Sequence, residues 1–321
     1  MASIYILGAG AMGSLWAANL HLALQTSKQH TVQFLTTRTS SLQNINYLIE
    51  SPFLKASQEK ICSEFEIELP IIHKEQLAVA SEDQPHIILI CTKSYHALNA
   101  ALLLKPFINK HSYLVLFQNG LGSQHDIIEA FPTIPVFAAV STEGVNRQED
   151  GKLIHAGKGL THIGPLNEAA KKHRIFEHCF TALTNHHLET VATEHIWKAL
   201  WEKLAINCAI NPFTAILNCS NGKIKDSALF RENWPTLKLE LATMLNTAGF
   251  PVDEHELENR IFKVIYDTQT NISSMLQDTR AKRKTEIKDI NGFAAQYLQN
   301  KGLRHTVNSM LYQKLSKPEL A

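Results

Sequence analysis

The segment Ile4-Tyr5-Ile6-Leu7-Gly8-Ala9-Gly10-Ala11-Met12-Gly13 joins a short apolar run to a glycine-rich turn and to the start of a helix-like stretch. The spacing Gly-x-Gly-x-x-Gly is typical of dinucleotide binding when it directly follows a strand and opens a helix. Gly8 then permits the tight turn, Gly10 lets the backbone approach the pyrophosphate, and Gly13 lets the helix pack on the strand. Free N–H groups at the helix N-terminus favour the phosphates. The segment therefore predicts a nicotinamide dinucleotide site, with a ligand-free glycine turn as the alternative.

The rest of the first half continues this alternation of strands and helices. Short apolar runs separated by helical stretches indicate a parallel sheet covered by helices. Gly- and His-containing runs between Gly144 and Gly164 predict an antiparallel extension. The predicted elements are a helix over Ala11–Leu24 and strands over Thr31–Leu35, His86–Cys91 and Tyr113–Phe117.

Beyond about Thr193 the strand patterns fade and helical periodicity takes over. Helices are predicted over Ile196–Asn211, after the capping-box sequence Asp253–Glu256, and over Ile287–Lys301, which Gly302 ends. We therefore predict an α/β protein of two domains that pack directly and share a cleft. Residues 1–193 form a Rossmann-type parallel-sheet domain that binds the dinucleotide, and residues 194–321 form an all-helical domain that binds the substrate.

The composition favours small-molecule partners. A net charge of +1 over 321 residues gives no basic field for nucleic acid or an anionic membrane. The five cysteines include no CxxC pair and the sixteen histidines no HExxH pattern, so neither a disulfide framework nor a metal site is expected. The N-terminus lacks the basic region of a signal peptide, and no apolar run of membrane-spanning length occurs. We expect a soluble, cytoplasmic protein.

Polar residues after the predicted strands indicate how the cofactor is held. NAD-binding domains usually place an acid after the second strand, whereas Thr36–Ser41 contains none and offers Arg38 among hydroxyls. A guanidinium suits a 2′-phosphate, so NADP(H) is favoured over NAD(H). Lys93 and Asn119 follow two further strands and should face the cofactor or substrate. The alternatives are a solvated arginine and, for Asn119-Gly120, an ordinary turn.

A polar stripe marks the first helix of the second half. Lys203, Asn207 and Asn211 recur every four residues and stay within about 80° of one another on the helix. The rest of that helix is largely apolar, so the lysine should be partly desolvated. Desolvation lowers a lysine pKa towards the working pH, which suits a general acid. A solvated stripe with an ordinary lysine is the alternative.

A second polar group lies in the segment Asn271–Asp278. Asn271, Ser274 and Asp278 have helical spacing there. The basic run Arg280–Lys284 is interpreted as a solvated face. Glu286 follows it, and periodicity does not decide between a surface residue and a site carboxylate.

These motifs together resemble the ketopantoate reductases (2-dehydropantoate 2-reductases), and the resemblance covers essentially the whole chain. It is carried by four parts of the sequence, of which the last three are long and specific. They are Gly8–Gly13, then Leu200–Pro212, then Thr214–Ile216 with Asn218 and Asn221-Gly222, and finally Asn271–Asp278 leading to Thr285–Ile287 and Ile290–Gly292.

The resemblance implies reduction of 2-dehydropantoate to (R)-pantoate with NADPH, a step towards pantothenate and coenzyme A. It implies a Rossmann domain followed by a helical domain like the C-terminal domain of 6-phosphogluconate dehydrogenase. Lys203 matches the general acid, and Glu286 matches a carboxylate at the substrate, cofactor and proton path. The implied substrate-binding residues are Asn119, Asn207, Asn211, Asn221, Asn271 and Ser274. The implied cofactor-binding residues are Gly8–Gly13, Arg38, Lys93, Asn119 and Glu286.

The sequence departs from the family pattern at two positions. Arg38 lies one residue later than the family's arginine for the 2′-phosphate, and Gln118 stands where the family often has histidine. Two other functions remain open, which are a two-domain dehydrogenase for another 2-keto acid or a β-hydroxy acid, and a non-catalytic NADPH sensor. The polar stripe argues against the first and the intact lysine and carboxylate against the second. A monomer or a homodimer is expected.

Overall fold

The structure is a computed structural model that describes residues 2–24, 30–38, 42–54, 64–148, 151–184 and 187–316. These residues form two compact units. The first comprises Met1–Gln118 with Ser123–Ile196, and the second comprises Asn119–Gly122 with Trp197–Ala321. The sequence suggested a single division after residue 193, so the assignment of Asn119–Gly122 to the helical unit is new.

The first unit is built on an eleven-stranded sheet with the order β11-β10-β7-β6-β5-β1-β2-β4-β3-β9-β8. Strands β5, β1 and β2 run parallel side by side at its centre, and β6 and β7 extend the parallel part. The strands are β1 (Ala2–Leu7), β2 (His30–Thr36), β3 (Asn44–Glu50), β4 (Glu64–His73), β5 (His86–Ile90), β6 (Ser112–Leu116), β7 (Val136–Ser141), β8 (Gly144–Arg147), β9 (Leu153–Gly157), β10 (Thr161–Pro165) and β11 (Thr190–Ala192).

Burial explains why the central strands read as continuous apolar runs. Every residue of β1, β5, β6 and β7 is buried, as expected for parallel strands covered on both faces. The helices of this unit are α1 (Ala11–Leu24), α2 (Ser94–Leu102), α3 (Ser123–Ala130) and α4 (His173–Leu183). On α1, the fully buried Trp16 packs edge-on against Phe117 at 5.1 Å between ring centroids.

The predicted antiparallel extension is confirmed. Strand β8 pairs antiparallel with β9, and β10 pairs antiparallel with β7. Strands β3 and β4, which also pair antiparallel, were not predicted.

The described part of the second unit is helical. Its helices are α5 (Ile196–Leu217), α6 (Ala228–Thr247), α7 (Glu254–Asp267), α8 (Ser274–Arg280), α9 (Phe293–Asn300) and α10 (Val307–Ser316). Helix α5 is longer than predicted, since it continues through Pro212. Among the described residues, no helix combines the length and apolar character that crossing a membrane requires.

The starts of two helices differ in detail from the sequence prediction. Asp253 caps α7 by accepting from the N–H groups of His255 and Glu256, but the Glu256 carboxylate pairs with Arg260 instead of completing the capping box. One turn of π-helix, Lys288–Gly292, precedes α9, where a uniform α-helix was predicted. Gly302, with φ of +91°, follows the end of α9 as predicted.

Candidate functional site

The glycine loop between β1 and α1 has the predicted geometry at two of its three glycines. Gly8 has φ of +114°, a left-handed conformation that favours glycine, and an added Cβ would lie 2.8 Å from the Thr92 amide nitrogen. A Cβ at Gly13 would lie 2.1 Å from the Gly8 carbonyl oxygen. The tight turn and the close packing of α1 on β1 therefore both require glycine.

Gly10 differs, because nothing in the described protein requires a glycine there. A Cβ at this position would meet no atom within 4 Å, and its φ lies outside the left-handed region. The residue is exposed at the start of α1, and its carbonyl accepts from the Ser14 amide. The first N–H groups of a helix have no intrahelical partner. Open space above these N–H groups fits the pyrophosphate of a dinucleotide, which approaches the backbone where a Cβ would stand.

The neighbouring strands bring further polar groups to the same edge of the sheet. The Cys91 amide donates to the Leu7 carbonyl at 2.8 Å, so the loop after β5 runs beside the glycine loop. Lys93 lies in this loop, partly buried, immediately before α2. Gln118 braces the loop, since its Nε2 donates to the carbonyls of Ile90 at 2.7 Å and Thr92 at 3.0 Å. Sequence reasoning gave Gln118 no such role.

Arg38 follows the end of β2, whose Leu35 pairs in register with Leu7 of β1. Its side chain is exposed, and the hydroxyl of Thr36 bonds to both its amide and its carbonyl. The remainder of the predicted phosphate-binding segment, residues 39–41, lies outside the described residues. Arg38 thus stands at the same edge of the sheet as the glycine loop.

In the second unit, α5 carries Lys203, Asn207 and Asn211. Lys203 and Asn207 are partly buried and Asn211 is 8% exposed. Desolvation lowers the pKa of Lys203 to about 8, although the nearby charge of Glu286 raises it. The sequence prediction of a partly desolvated lysine is therefore confirmed.

Glu286 is a buried carboxylate, so it is not the surface residue that periodicity left open. It is 5% exposed, and the side-chain Nδ2 of Asn119 donates to its Oε2 at 3.4 Å. Gly120, with φ of +79°, brings this segment against the turn after Glu286, where the Leu121 amide donates to the Asp289 carbonyl at 2.9 Å. Asn119-Gly120 is thus both a turn and a partner of the carboxylate.

The second polar segment is not one helix. Helix α8 begins at Ser274, so Asn271 lies before it, and the predicted helical spacing of Asn271 with Ser274 and Asp278 is wrong. Ser273, which sequence reasoning passed over, caps the helix by accepting from the Leu276 amide. A serine N-cap marks the start of a helix, because its side chain accepts from an N–H that has no intrahelical acceptor.

The residues of this segment differ in exposure, and therefore in whether a ligand can reach them. Asn271 and Ser274 are both exposed, whereas Asp278 is 3% exposed and accepts from Arg283 at 3.0 Å. Asn221 is buried beside Asn271, because its amide donates to the Asn271 carbonyl at 3.0 Å. The Oδ1 of Asn221 has no hydrogen-bond partner among the described residues. Asn271 and Ser274 are therefore accessible to a ligand, whereas Asp278 pairs with Arg283.

The chain matches two models of one known family over most of its length. The family model for ketopantoate reductase PanE/ApbA matches residues 4–168, and the model for the C-terminal part of the same family matches residues 195–319. The 2-dehydropantoate 2-reductase of Vibrio cholerae is 30% identical over 99% of this chain and 98% of its own length. That of Yersinia pestis is 30% identical over 98% of this chain and 95% of its own.

Solved structures share the fold at lower identity. A D-mandelate dehydrogenase in complex with NADH and anilino(oxo)acetate matches with a TM-score of 0.78, 20% identity, and coverage of 98% of this chain and 97% of that one. The 2-dehydropantoate 2-reductase of Methylococcus capsulatus matches with a TM-score of 0.74, 20% identity and 98% coverage of both chains. Both family models and the near-full-length relatives lead to one conclusion. The chain belongs to the ketopantoate reductase family.

Proposed function

We propose that this protein is an NADPH-dependent 2-dehydropantoate 2-reductase that uses Lys203 as its general acid. The reaction converts the ketone of 2-dehydropantoate to the alcohol of (R)-pantoate, a step towards pantothenate and coenzyme A. The activity is the one for which the Vibrio cholerae and Yersinia pestis relatives are named. The observation that carries the residue assignment is the placing of Lys203, with its lowered pKa, beside the buried Glu286.

Proton donation from Lys203 fits this chemistry. Bound NADPH supplies a hydride to the ketone carbon. As the carbon–oxygen double bond becomes single, the oxygen gains negative charge and takes a proton from the Lys203 ammonium. A donor aimed at charge that develops only in the transition state lowers the barrier. The neutral lysine then regains its proton from solvent.

Glu286 and the asparagines hold the reacting groups in place. Glu286, held by Asn119 at 3.4 Å, favours the protonated form of Lys203 by its charge. Ser274 is exposed at the start of α8, where its hydroxyl suits the substrate carboxylate. The remaining proposed substrate-binding residues are Asn119, Asn207, Asn211, Asn221 and Asn271.

The first unit provides the cofactor site. The open position at Gly10 and the N-terminus of α1 suit the pyrophosphate, and Arg38 and Lys93 lie at the same edge of the sheet. Arg38 suits the 2′-phosphate that distinguishes NADPH from NADH. The proposed contacts are Gly8, Ala9, Gly10, Ala11, Met12, Gly13, Arg38, Lys93, Asn119 and Glu286.

A steady-state assay of 2-dehydropantoate with NADPH and with NADH, side by side, tests substrate and cofactor together. We expect turnover with NADPH and a lower kcat/KM with NADH. The same fold occurs in a D-mandelate dehydrogenase, so the fold alone does not choose the keto acid. A panel of 2-keto acids, including benzoylformate, therefore accompanies the assay. A higher kcat/KM on another acid would overturn the substrate, and NADPH binding without turnover on any acid would support the sensor instead.

The proposal extends to the setting in which the enzyme works. We place it in the cytoplasm as a monomer or homodimer. All four cysteines within the described residues, Cys91, Cys179, Cys208 and Cys219, are free thiols, which suits a reducing compartment. Sedimentation at working concentration would distinguish the two assembly states.

A further inference from the structure

Asn291 is a fully buried asparagine in the π-helical turn that follows Glu286. It is 0% exposed, and its Nδ2 donates to two acceptors, the Cys208 carbonyl at 3.2 Å and Asn308 Oδ1 at 2.9 Å. Its own Oδ1 is buried without a partner among the described residues. An unsatisfied buried acceptor costs stability, so the packing of the turn alone does not explain an asparagine there.

The Cys208 carbonyl needs an outside donor because of Pro212. In an α-helix this carbonyl would accept from the N–H four residues later, and proline has no N–H. Helix α5 nevertheless continues to Leu217. Asn291 supplies the donor that Pro212 lacks, and this ties the π-helical turn to α5.

Glu240 fixes the direction of this link. Its carboxylate accepts from the Asn308 amide at 3.1 Å, from Asn308 Nδ2 at 2.8 Å and from the Val307 amide. Because a carboxylate only accepts, Asn308 must direct its Nδ2 to Glu240 and its Oδ1 to Asn291. Asn291 must then present its Nδ2. The chain of contacts thus has one consistent orientation from α6 through α10 to the turn.

The bond from Asn291 to the Cys208 carbonyl joins the two segments that carry Glu286 and Lys203, the two ionisable groups of the proposed site. Glu286 is bonded to the turn that follows it, since its carbonyl accepts from the Ile290 amide at 3.1 Å. Cys208 lies on α5 between the polar-stripe residues Asn207 and Asn211, on the helix that carries Lys203. A displacement of the turn away from α5 would carry Glu286 away from Lys203.

We propose that Asn291, oriented by Glu240 through Asn308, is a positioning residue that sets the separation of Glu286 and Lys203. The inference rests on the proposed function for its catalytic consequence. The effect of Asn291 on the position of Glu286 relative to Lys203 can be measured without turnover. No contact with substrate or cofactor is proposed for Asn291.

The test compares Asn291→Ala with the wild-type enzyme. We expect kcat to fall about 10- to 100-fold, because a misplacement of about 1 Å can cost 100-fold. Glu286 is the charge that raises the pKa of Lys203, so its departure lowers that pKa further. The alkaline limb of the pH–kcat profile should therefore move to lower pH. An NMR titration of the lysine side chains, with Lys203→Ala for assignment, should show the same shift without substrate.

A matched control is Asn233→Ala, which removes another side-chain amide bonded to a helix carbonyl, that of Leu229 at 2.8 Å, in the same unit. It should leave the profile and the titration unchanged. Glu240→Gln, which loses one acceptor oxygen, should act in the same direction as Asn291→Ala but less strongly, and it serves where Asn291→Ala does not fold.

Variants at Asn291 and Glu240 that lose activity only in proportion to the folded fraction, with the Lys203 titration unmoved, would overturn the inference. A wild-type enzyme that reduces no 2-keto acid would overturn the proposed function instead. In that case the NMR titration still decides whether Asn291 positions the pair.

Discussion

At the scale of single residues, Lys203 is the side chain on which the proposed chemistry depends. Replacing it by alanine removes the proton donor while leaving the glycine loop of the other unit untouched. General acid catalysis contributes about 100- to 10,000-fold, so Lys203→Ala should lower kcat by that factor with the Kd for NADPH nearly unchanged. Steady-state kinetics and a fluorescence titration of NADPH measure the two quantities.

The control is Lys198→Ala on the same helix. Lys198 is exposed and lies 4.0 Å from the Glu202 carboxylate, so it represents a solvated helix lysine. Its removal should change neither kcat nor cofactor binding. A fully active Lys203→Ala enzyme would refute the assignment of the general acid.

The pH dependence follows from the same residue. A general acid works in its protonated form, and desolvation lowers the pKa of Lys203 to about 8. In the reducing direction kcat/KM should therefore be level below about pH 8 and fall about tenfold for each pH unit above it. Glu286→Gln removes the charge that raises this pKa, so the limb should move to lower pH. A limb near pH 10.4, about that of a solvated lysine, would contradict the assignment.

The sequence predicted some residues of the site well and others not at all. Lys203 and its asparagines recur at helical spacing, so their common face and partial burial were predictable. The burial of Glu286 was not, because it depends on contact with Asn119, which is 167 positions away in the chain. Nothing in the local sequence indicated the contacts of Asn291, although Pro212 inside a helix shows that the Cys208 carbonyl needs another donor.

At the scale of elements, the glycines between β1 and α1 serve two different purposes. A Cβ at Gly13 would meet the Gly8 carbonyl oxygen at 2.1 Å, whereas a Cβ at Gly10 would meet nothing within 4 Å. Gly13→Ala should therefore lower stability by about 1–3 kcal/mol, the usual cost of overpacking. Gly10→Ala should leave the Tm of the ligand-free protein unchanged or slightly raised, since it restricts the unfolded chain.

Cofactor binding should depend more directly on Gly10 than on Gly13. Gly10→Ala should weaken NADPH about tenfold or more, about 1.4 kcal/mol, because its methyl group occupies the space proposed for the pyrophosphate. Thermal melts without ligand and NADPH titrations measure the two effects. A Gly10→Ala protein with unchanged melting and unchanged NADPH affinity would show that the loop holds no dinucleotide.

Elements with strong local patterns were predictable, and those set by distant partners were not. Helix α1 begins and ends where the sequence predicted, and β5 and β6 each lie within about one residue of the predicted strands. Strand β4 alternates exposed acids with buried apolar residues over Glu64–Leu69, a signal that sequence reasoning could have used. The π-helical turn depends on tertiary contacts, so helical periodicity over Ile287–Lys301 gave no sign of it.

At the scale of the whole molecule, the order of sheet and helices was predictable from the change of period near residue 193. The grouping of Asn119–Gly122 with the helical unit was not, because these residues follow a strand of the first unit in sequence. They group with the helical unit through a long-range hydrogen bond, which runs from the Leu121 amide to the Asp289 carbonyl. Asn119, the hydrogen-bond partner of the Glu286 carboxylate, is thus part of the helical unit.

The cofactor preference can be tested on the whole molecule without any turnover. A ligand that binds only the folded state at 100 times its Kd adds about 2.7 kcal/mol of stability. For a unit of this size each kcal/mol raises the Tm by about 2–4 °C, so NADPH should raise it by about 5–10 °C. NADH at the same concentration should raise it less, since it lacks the phosphate that Arg38 is proposed to hold.

Arg38→Ala should narrow the difference between the two nucleotides by weakening NADPH alone. Arg174→Ala is its control, because Arg174 is another exposed arginine of the first unit and pairs with Glu82 at 2.8 Å. The control should keep the full difference. Equal Tm shifts for NADPH and NADH in the wild-type protein would contradict the NADP preference while leaving dinucleotide binding intact. The titration is carried to millimolar nucleotide, and the absence of a Tm shift with either nucleotide would refute dinucleotide binding itself.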